Sequence, residues 1–374
     1  MTPFGFALPG RVIFGRGEAA KAAPLIRAFG PRGLLVHGAN PARAEWLRAA
    51  LGPDVVTLAC PTEPTLPMLE DALAALPPVD WVVALGGGSV IDMGKALAAL
   101  IPAPGGAMDH LEVVGKGLPL AAPPLPFIAI PTTAGTGAEA TRNAVIGLPE
   151  HGRKVSVRDE RMLPRLAIVD PALTDHCPRT VTLASGLDAL AQVIEPYVSA
   201  KATPFTDALT LPVIASGMTA LMGLMSTEDA GARDHMAWVS LSGGIALANG
   251  GLGAVHGLAG VIGGVAPAAH GAICGALLGP VLALNRSRAG GDARRRLDTV
   301  CALLAEPLGV PADAAPAALA AWARGSGLPG LMAQGLDPTR HGSVAEASLA
   351  SSSMKGNPVA LTPADLCTLL AEAS

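Results

Sequence analysis

Three side chains far apart in the sequence could do chemistry together. Asp188 lies in the run Ala184-Ser185-Gly186-Leu187-Asp188-Ala189-Leu190, and His256 and His270 follow much later, fourteen residues apart. Their surroundings are nearly empty of other charge. An ionised carboxylate is costly to bury without a partner, and a carboxylate converging with two imidazoles is a common way to hold a divalent cation. Gln192 stands four residues after Asp188 and shares its face if the segment is helical, with Glu195 one further turn along. Either histidine alone reads first as a satisfied core residue. The set of three points to a metal.

A second run could hold a phosphate. Leu85-Gly86-Gly87-Gly88-Ser89 joins a continuous apolar stretch to a helical pattern that contains Asp92 and Lys95. Glycines there let the backbone approach a pyrophosphate, and the free amides of the following helix face its charge. Glycine turns are common, so the weight comes from placement, since ligands of open parallel sheets bind at the carboxyl ends of strands. The polar run Pro131-Thr132-Thr133-Ala134-Gly135-Thr136-Gly137 follows the next apolar stretch, and Thr132, Thr133 and Thr136 could bond the same ligand. An alternative for that run is a helix start, with Thr136 as cap and Glu139 completing the box. Gly38 closes the stretch Leu34–His37, where NAD-selective proteins often carry an acid for the ribose hydroxyls. His37-Gly38-Ala39-Asn40 has none and Arg43 is close, which favours NADP(H), with NAD(H) as the alternative.

These residues need elements to position them. In the first half, strand-like runs at 11–14, 33–37, 55–58, 81–85, 127–130 and 166–170 are interleaved with helical patterns at 17–29, 41–51, 65–76 and 90–100. This alternation implies an open, mostly parallel α/β sheet covered on both faces. After about Thr180 the β-branched runs fade and helical periodicity takes over. The expected organisation is an α/β domain over 1–177 and an all-α domain over 178–374, with the boundary near Asp175–Pro178.

Composition excludes other classes. The chain has 374 residues, half of them hydrophobic and 15% charged, with a net charge of −4. A nucleic-acid or anionic-membrane partner calls for a basic patch that this balance does not supply. The stretch 240–284 is rich in small and apolar residues, but Asn249, His256, Pro267 and His270 interrupt it, so closely packed core helices explain it better than a membrane hairpin. The five cysteines, Cys60, Cys177, Cys274, Cys301 and Cys367, are odd in number and widely spaced, as in a reduced cytoplasmic protein. The first residues show no signal-peptide pattern.

The motifs in their order resemble the iron-containing alcohol dehydrogenase family over nearly the whole chain. They are Gly10-Arg11-Val12-Ile13-Phe14-Gly15, the glycine run with Asp92 and Lys95, the threonine run at 131–137, Gly186-Leu187-Asp188-Ala189-Leu190, Gly253-Ala254-Val255-His256-Gly257 and Pro267-Ala268-Ala269-His270-Gly271. The resemblance implies a Rossmann-like dinucleotide-binding domain followed by a helical domain for metal and substrate, an architecture similar to dehydroquinate synthase. It also implies NAD(P)-dependent interconversion of an alcohol and an aldehyde or ketone, usually in a homo-oligomer such as a dimer.

Carried over by position, the ligands of Fe or Zn are Asp188, Gln192, His256 and His270. Two positions depart from the family: Gln192 replaces a histidine, and Gly260 stands where many relatives carry a second histidine thought to aid proton transfer. Lys154 falls where relatives carry a lysine near the cofactor. A glutamine offers one neutral oxygen, a poorer ligand than imidazole. Asp188, His256 and His270 still form a two-histidine, one-carboxylate trio of the kind found in the similar glycerol dehydrogenases. Asp188, His256, His270 and Lys154 are therefore the expected catalytic residues, and Gly38, Gly87, Gly88, Ser89, Asp92, Thr132, Thr133 and Thr136 the expected cofactor contacts. Two alternatives stay open: a metal-independent enzyme resembling maleylacetate reductase, and a non-catalytic nucleotide-binding protein with a decayed metal site.

Overall fold

The computed structural model describes residues 3–374. Contacts divide the chain into two compact units. Ala7–Thr133 and Gly137–Thr174 form one, while the other holds the residues up to Phe6, Ala134–Thr136 and Asp175–Ser374.

The first unit is built on strands β1 (Val12–Phe14), β2 (Gly33–His37), β3 (Val55–Ala59), β4 (Trp81–Gly86), β5 (Phe127–Pro131), β6 (Asn143–Leu148), β7 (Arg153–Arg158) and β8 (Leu166–Val169). Six of them form one sheet in the order β1-β8-β5-β4-β2-β3, and every neighbouring pair is parallel. The central strands are continuous apolar runs because both faces are covered. Along β4, Val82 and Ala84 join one core cluster with Leu34, Val36, Phe127 and Ala129, while Trp81, Val83 and Leu85 join a second with Leu35, Ile128 and Ile130. The two-residue period of the strand thus feeds two separate cores. Leu35, Val83 and Ile128 lie in register across β2, β4 and β5. Helix α1 (Gly88–Leu100) follows β4 and is buried along most of its length.

Beyond the strand-like runs evident in the sequence, β6 and β7 pair as an antiparallel hairpin outside the main sheet. The proposed helix start at Thr136 is corrected. The chain makes only a three-residue 3-10 turn at Ala138–Ala140, capped by Gly137 without a side-chain bond.

The second unit is helical. Its core elements are α2 (Arg179–Val198), α3 (Ala230–Gly250), α4 (Ala254–Val265) and α5 (His270–Arg288), joined in one hydrophobic cluster by shorter helices. Among the described residues, Pro204–Ser226 is long and apolar enough to cross a membrane, yet half of it is buried inside the fold. The pair α3 and α4 qualifies only together and is bent by 98°.

Candidate functional site

In the helical unit α2, α4 and α5 each bring donors to one point. Asp188, Gln192 and Glu195 lie on α2, His256 in the first turn of α4, and His270 at the first residue of α5. Helix α5 reaches Asp188 because glycines remove the side chains that would hold it away. A Cβ on Gly271 would stand 2.5 Å from the Ala184 carbonyl oxygen, and one on Gly275 would stand 2.7 Å from Leu187 Cδ1. Neither approach leaves room for a methyl group.

Three of these side chains keep buried polar atoms unanswered. Asp188, 1% exposed, has neither carboxylate oxygen hydrogen-bonded, and His256 Nε2 and Gln192 Oε1 are likewise buried without a partner. His256 Nε2 stands 3.2 Å from Asp188 Oδ1, close but not aligned as a hydrogen bond. His270 Nε2 lies 3.8 Å from the same oxygen, and the two imidazole rings are 5.4 Å apart, tilted by 52°. Buried polar atoms in native folds are almost always partnered. A group of them facing one another is the pattern expected where a cation sits. The atoms of Asp188, His256 and His270 that could bind one fall within 4.8 Å of one another, and Cys274 Sγ belongs to the same group.

Glu195 explains how His256 is aimed. Its Oε2 is 2.6 Å from His256 Nδ1, so a neutral ring donates there and turns the lone pair of Nε2 toward Asp188. Its Oε1 accepts the Val255 N–H at 2.7 Å, answering one of the open amides at the start of α4. Metal-binding imidazoles are commonly fixed by such a carboxylate. The sequence shows Glu195 on the correct face of α2, but its partner is 61 residues away and gives no local signal.

The site sets an ionised carboxylate beside an imidazole that holds its proton, and a cation would have to displace that proton. Burial alone would push Asp188 up, but His270 foremost, then His256 and the Gln192 amide, hold its carboxyl down at about 2. Burial opposes protonation of His256, and Cys274, Glu195 and Asp188 outweigh it and raise the imidazole well above its usual range. Burial pushes the Cys274 thiol up to about 12.

In the α/β unit the expected nucleotide contacts gather at the carboxyl ends of three adjacent strands. Gly38 follows β2, Gly87, Gly88 and Ser89 follow β4, and Thr132 and Thr133 follow β5. The loops touch: Thr132 N–H donates to Gly86 O at 2.9 Å, and a Cβ on Gly87 would stand 3.4 Å from Thr133 Oγ1. Helix α1 starts at Gly88 with no side-chain cap, so its first amides are left for a ligand. Thr136 belongs to the short segment Ala134–Thr136, which groups with the helical unit, where Gly135 packs against Ser185.

Two more expected residues sit away from the strand ends. Asp92, one turn into α1, faces the hairpin, where the Val145 N–H, Glu63 and Lys154 surround it; burial raises its carboxyl against the pull of Lys95. Lys154 on β7 forms an ion pair with Glu63 and is mostly buried. Lys95 is spoken for entirely, since its ammonium donates to Ala138 O, Thr141 O, Thr141 Oγ1 and Asn143 O at 2.7–3.0 Å.

Comparisons with known proteins agree across the length of the chain. Residues 9–171 match the family profile described as iron-containing alcohol dehydrogenase, and residues 182–374 match its C-terminal counterpart. A probable alcohol dehydrogenase, EutG, of Salmonella typhimurium is 33% identical over 84% of this chain and 79% of its own. An NAD-dependent methanol dehydrogenase of Bacillus methanolicus is 40% identical over 55% of this chain, though the match spans only 53% of that relative. The solved alcohol dehydrogenase of Oenococcus oeni superposes with a TM-score of 0.88 at 27% identity, covering all of both chains. With donors and strand-end loops placed as described, the chain belongs to the iron-containing alcohol dehydrogenase family and is an oxidoreductase of alcohols and their carbonyl counterparts.

Proposed function

We propose that this enzyme transfers hydride between a nicotinamide dinucleotide and a small alcohol or its aldehyde or ketone, with one divalent cation, Fe or Zn, held by Asp188, His256 and His270. The observation that carries the reading is the buried carboxylate of Asp188, unbonded at both oxygens and facing an equally unbonded imidazole nitrogen. When bound, such a cation supplies Lewis acidity to a substrate oxygen. The chain does the rest. Asp188 contributes the negative charge that retains a cation, Glu195 fixes the His256 ring, and Gln192 adds a neutral amide beside the donors. A metal-independent reductase or a decayed site gives no reason for these unanswered groups.

The cofactor contacts in this reading are Gly38, Gly87, Gly88, Ser89, Thr132, Thr133 and Thr136, with Asp92 and Lys154 supporting them from the hairpin side. Residues 1–177 serve the dinucleotide, and 178–374 the metal and substrate. The missing acid after β2 and Arg43 on the exposed turn Pro41–Arg43 support NADP(H). The reading includes a homodimer, supported by Phe4, Leu8, Val12 and Phe14, which stay exposed along the N-terminal stretch and the open edge strand β1. It also places the enzyme in the cytoplasm without membrane or nucleic-acid partners, in keeping with five cysteines that form no disulfide and the slight net negative charge.

Elemental analysis of anaerobically purified wild type and Asp188→Ala, with NADPH and NADH titrations and a panel of alcohols and aldehydes, tests the proposal. About one Fe or Zn per chain is expected in wild type, lost together with turnover in the variant. Undiminished turnover by metal-free protein would overturn it.

A further inference from the structure

We propose that Cys274 is a fourth protein ligand of the cation, taking the place that a poorly coordinating Gln192 leaves open, so that the site is a carboxylate, two imidazoles and a thiolate. The proposal rests on the reading of Asp188, His256 and His270 as a metal site and adds a donor to it.

Position comes first. Cys274 lies on α5 four residues after His270, so both side chains project from one helix face. The glycines at 271 and 275 that let α5 close on α2 flank Cys274 on either side in the sequence, so the same close approach that seats His270 seats the sulfur. Cys274 Sγ is 3.6 Å from His270 Nε2 and belongs to the group whose donor atoms all lie within 4.8 Å.

Distances decide between a core filler and a ligand. Donors bound tetrahedrally at ordinary Zn–N, Zn–O and Zn–S lengths stand roughly 3.3–3.6 Å from one another. The chain places His256 Nε2 3.2 Å from Asp188 Oδ1, His270 Nε2 3.8 Å from that oxygen, and Cys274 Sγ 3.6 Å from His270 Nε2. A buried cysteine is often only a small apolar side chain, and Cys301 shows that case. It is as fully buried as Cys274 and, among the described residues, joins no such donor group.

Chemistry then sets the consequence. Binding displaces the thiol proton to solvent and leaves a soft anionic sulfur on the cation. Thiolate donors favour zinc and cobalt over the harder manganese and magnesium. The substitution of an amide for an imidazole at 192 is thereby offset by a donor from a different helix.

The test uses full-length protein stripped with a chelator and reloaded with Co²⁺ alone, without substrate or nucleotide. The expected wild-type spectrum shows an intense near-ultraviolet thiolate-to-cobalt band. Cys274→Ser should bind cobalt without that band and lose more zinc affinity than the roughly 10–100-fold that removal of an outer partner costs. Gln192→His added to Cys274→Ser should recover affinity but not the band. Zinc-edge X-ray absorption on wild type needs no variant, and a sulfur neighbour at about 2.3 Å is expected. Cobalt bound without the band, or zinc with only nitrogen and oxygen neighbours, overturns the proposal and leaves the three-ligand site standing. Failure of wild type to bind either metal overturns both.

Discussion

Lys95 and Asp188 are equally buried, each about 1% exposed, yet the two halves of the protein treat them in opposite ways. In the α/β unit the Lys95 ammonium donates to four oxygens and ties α1 to residues 138–143. In the helical unit no well-aligned hydrogen bond reaches the Asp188 carboxylate, which faces only the imidazoles of His256 and His270 and the Gln192 amide. A charge removed from water costs several kcal/mol unless the fold answers it. Where the chain answers it internally, the group is part of the scaffold. Where it does not, the answer has to come from outside. The contrast separates structural from functional charge better than burial or residue type does.

The largest effect that could break this contrast is at Asp188. Asp188→Ala should lower turnover by roughly a thousandfold or more, the several kcal/mol that a Lewis-acid site supplies. Wild type should gain about 2.7 kcal/mol of stability when zinc is present at 100 times its Kd, and the variant should gain nothing. Equal thermal shifts for the two proteins would show that the carboxylate awaits no cation. Lys95→Met should do the reverse. It removes the donor that four oxygens share and should cost about 3–5 kcal/mol in urea unfolding, while the metal content of the folded protein stays unchanged.

Glu139 sharpens the scaffold side. It is buried next to the Lys95 network, and burial drives its carboxyl up to about 7 from an ordinary value of 4.5, against smaller opposition from its own N–H and from Lys95. A group whose folded value is raised gives stability that is complete below the unfolded value and is lost as pH rises through the folded one. Unfolding free energy should therefore fall by on the order of 3 kcal/mol between pH 4.5 and above 7, and Glu139→Gln should flatten that slope. On the functional side, Glu195→Gln keeps the shape but weakens the hold on His256. Metal affinity should drop roughly 10–100-fold with little change in fold, read by competition with a chelating dye.

Much of this was legible beforehand, for a physical reason. β2, β4, β5 and β8 are buried on both faces and appear in the sequence as unbroken apolar runs such as Trp81–Leu85. Asp188, His256 and His270 stood out because charge is scarce around them. The β6–β7 hairpin was not legible, since its alternation of buried and half-buried positions is diluted by Arg153, Lys154 and Arg158. Cys274 counts in the sequence only as one of five scattered cysteines, although its four-residue spacing from His270 is in plain view. The roles of Glu195 and Lys95 depend on partners brought in by tertiary folding, which no local pattern encodes. Thr136 was misread because a cap needs a helix after it, and Gly137 starts only a short 3-10 turn.

The smallest expected effect is at Gly260, one turn after His256 on α4. A Cβ built there meets nothing within 4 Å, so the position faces open space rather than packed neighbours. Glycine in a helix interior is disfavoured relative to most residues, so Gly260→His should leave the fold intact and raise stability by a few tenths of a kcal/mol. Its informative readout is selectivity. If that open space belongs to the substrate pocket, an imidazole there should raise KM for branched or long alcohols while leaving methanol and ethanol nearly unaffected. Metal content should not change, because Asp188, His256 and His270 are untouched. A uniform loss across chain lengths would instead mean that the added ring disturbs His256 itself. The space at 260 would then be a tolerance of the scaffold, as Lys95 is a part of it, and not a feature of the site that Asp188 defines.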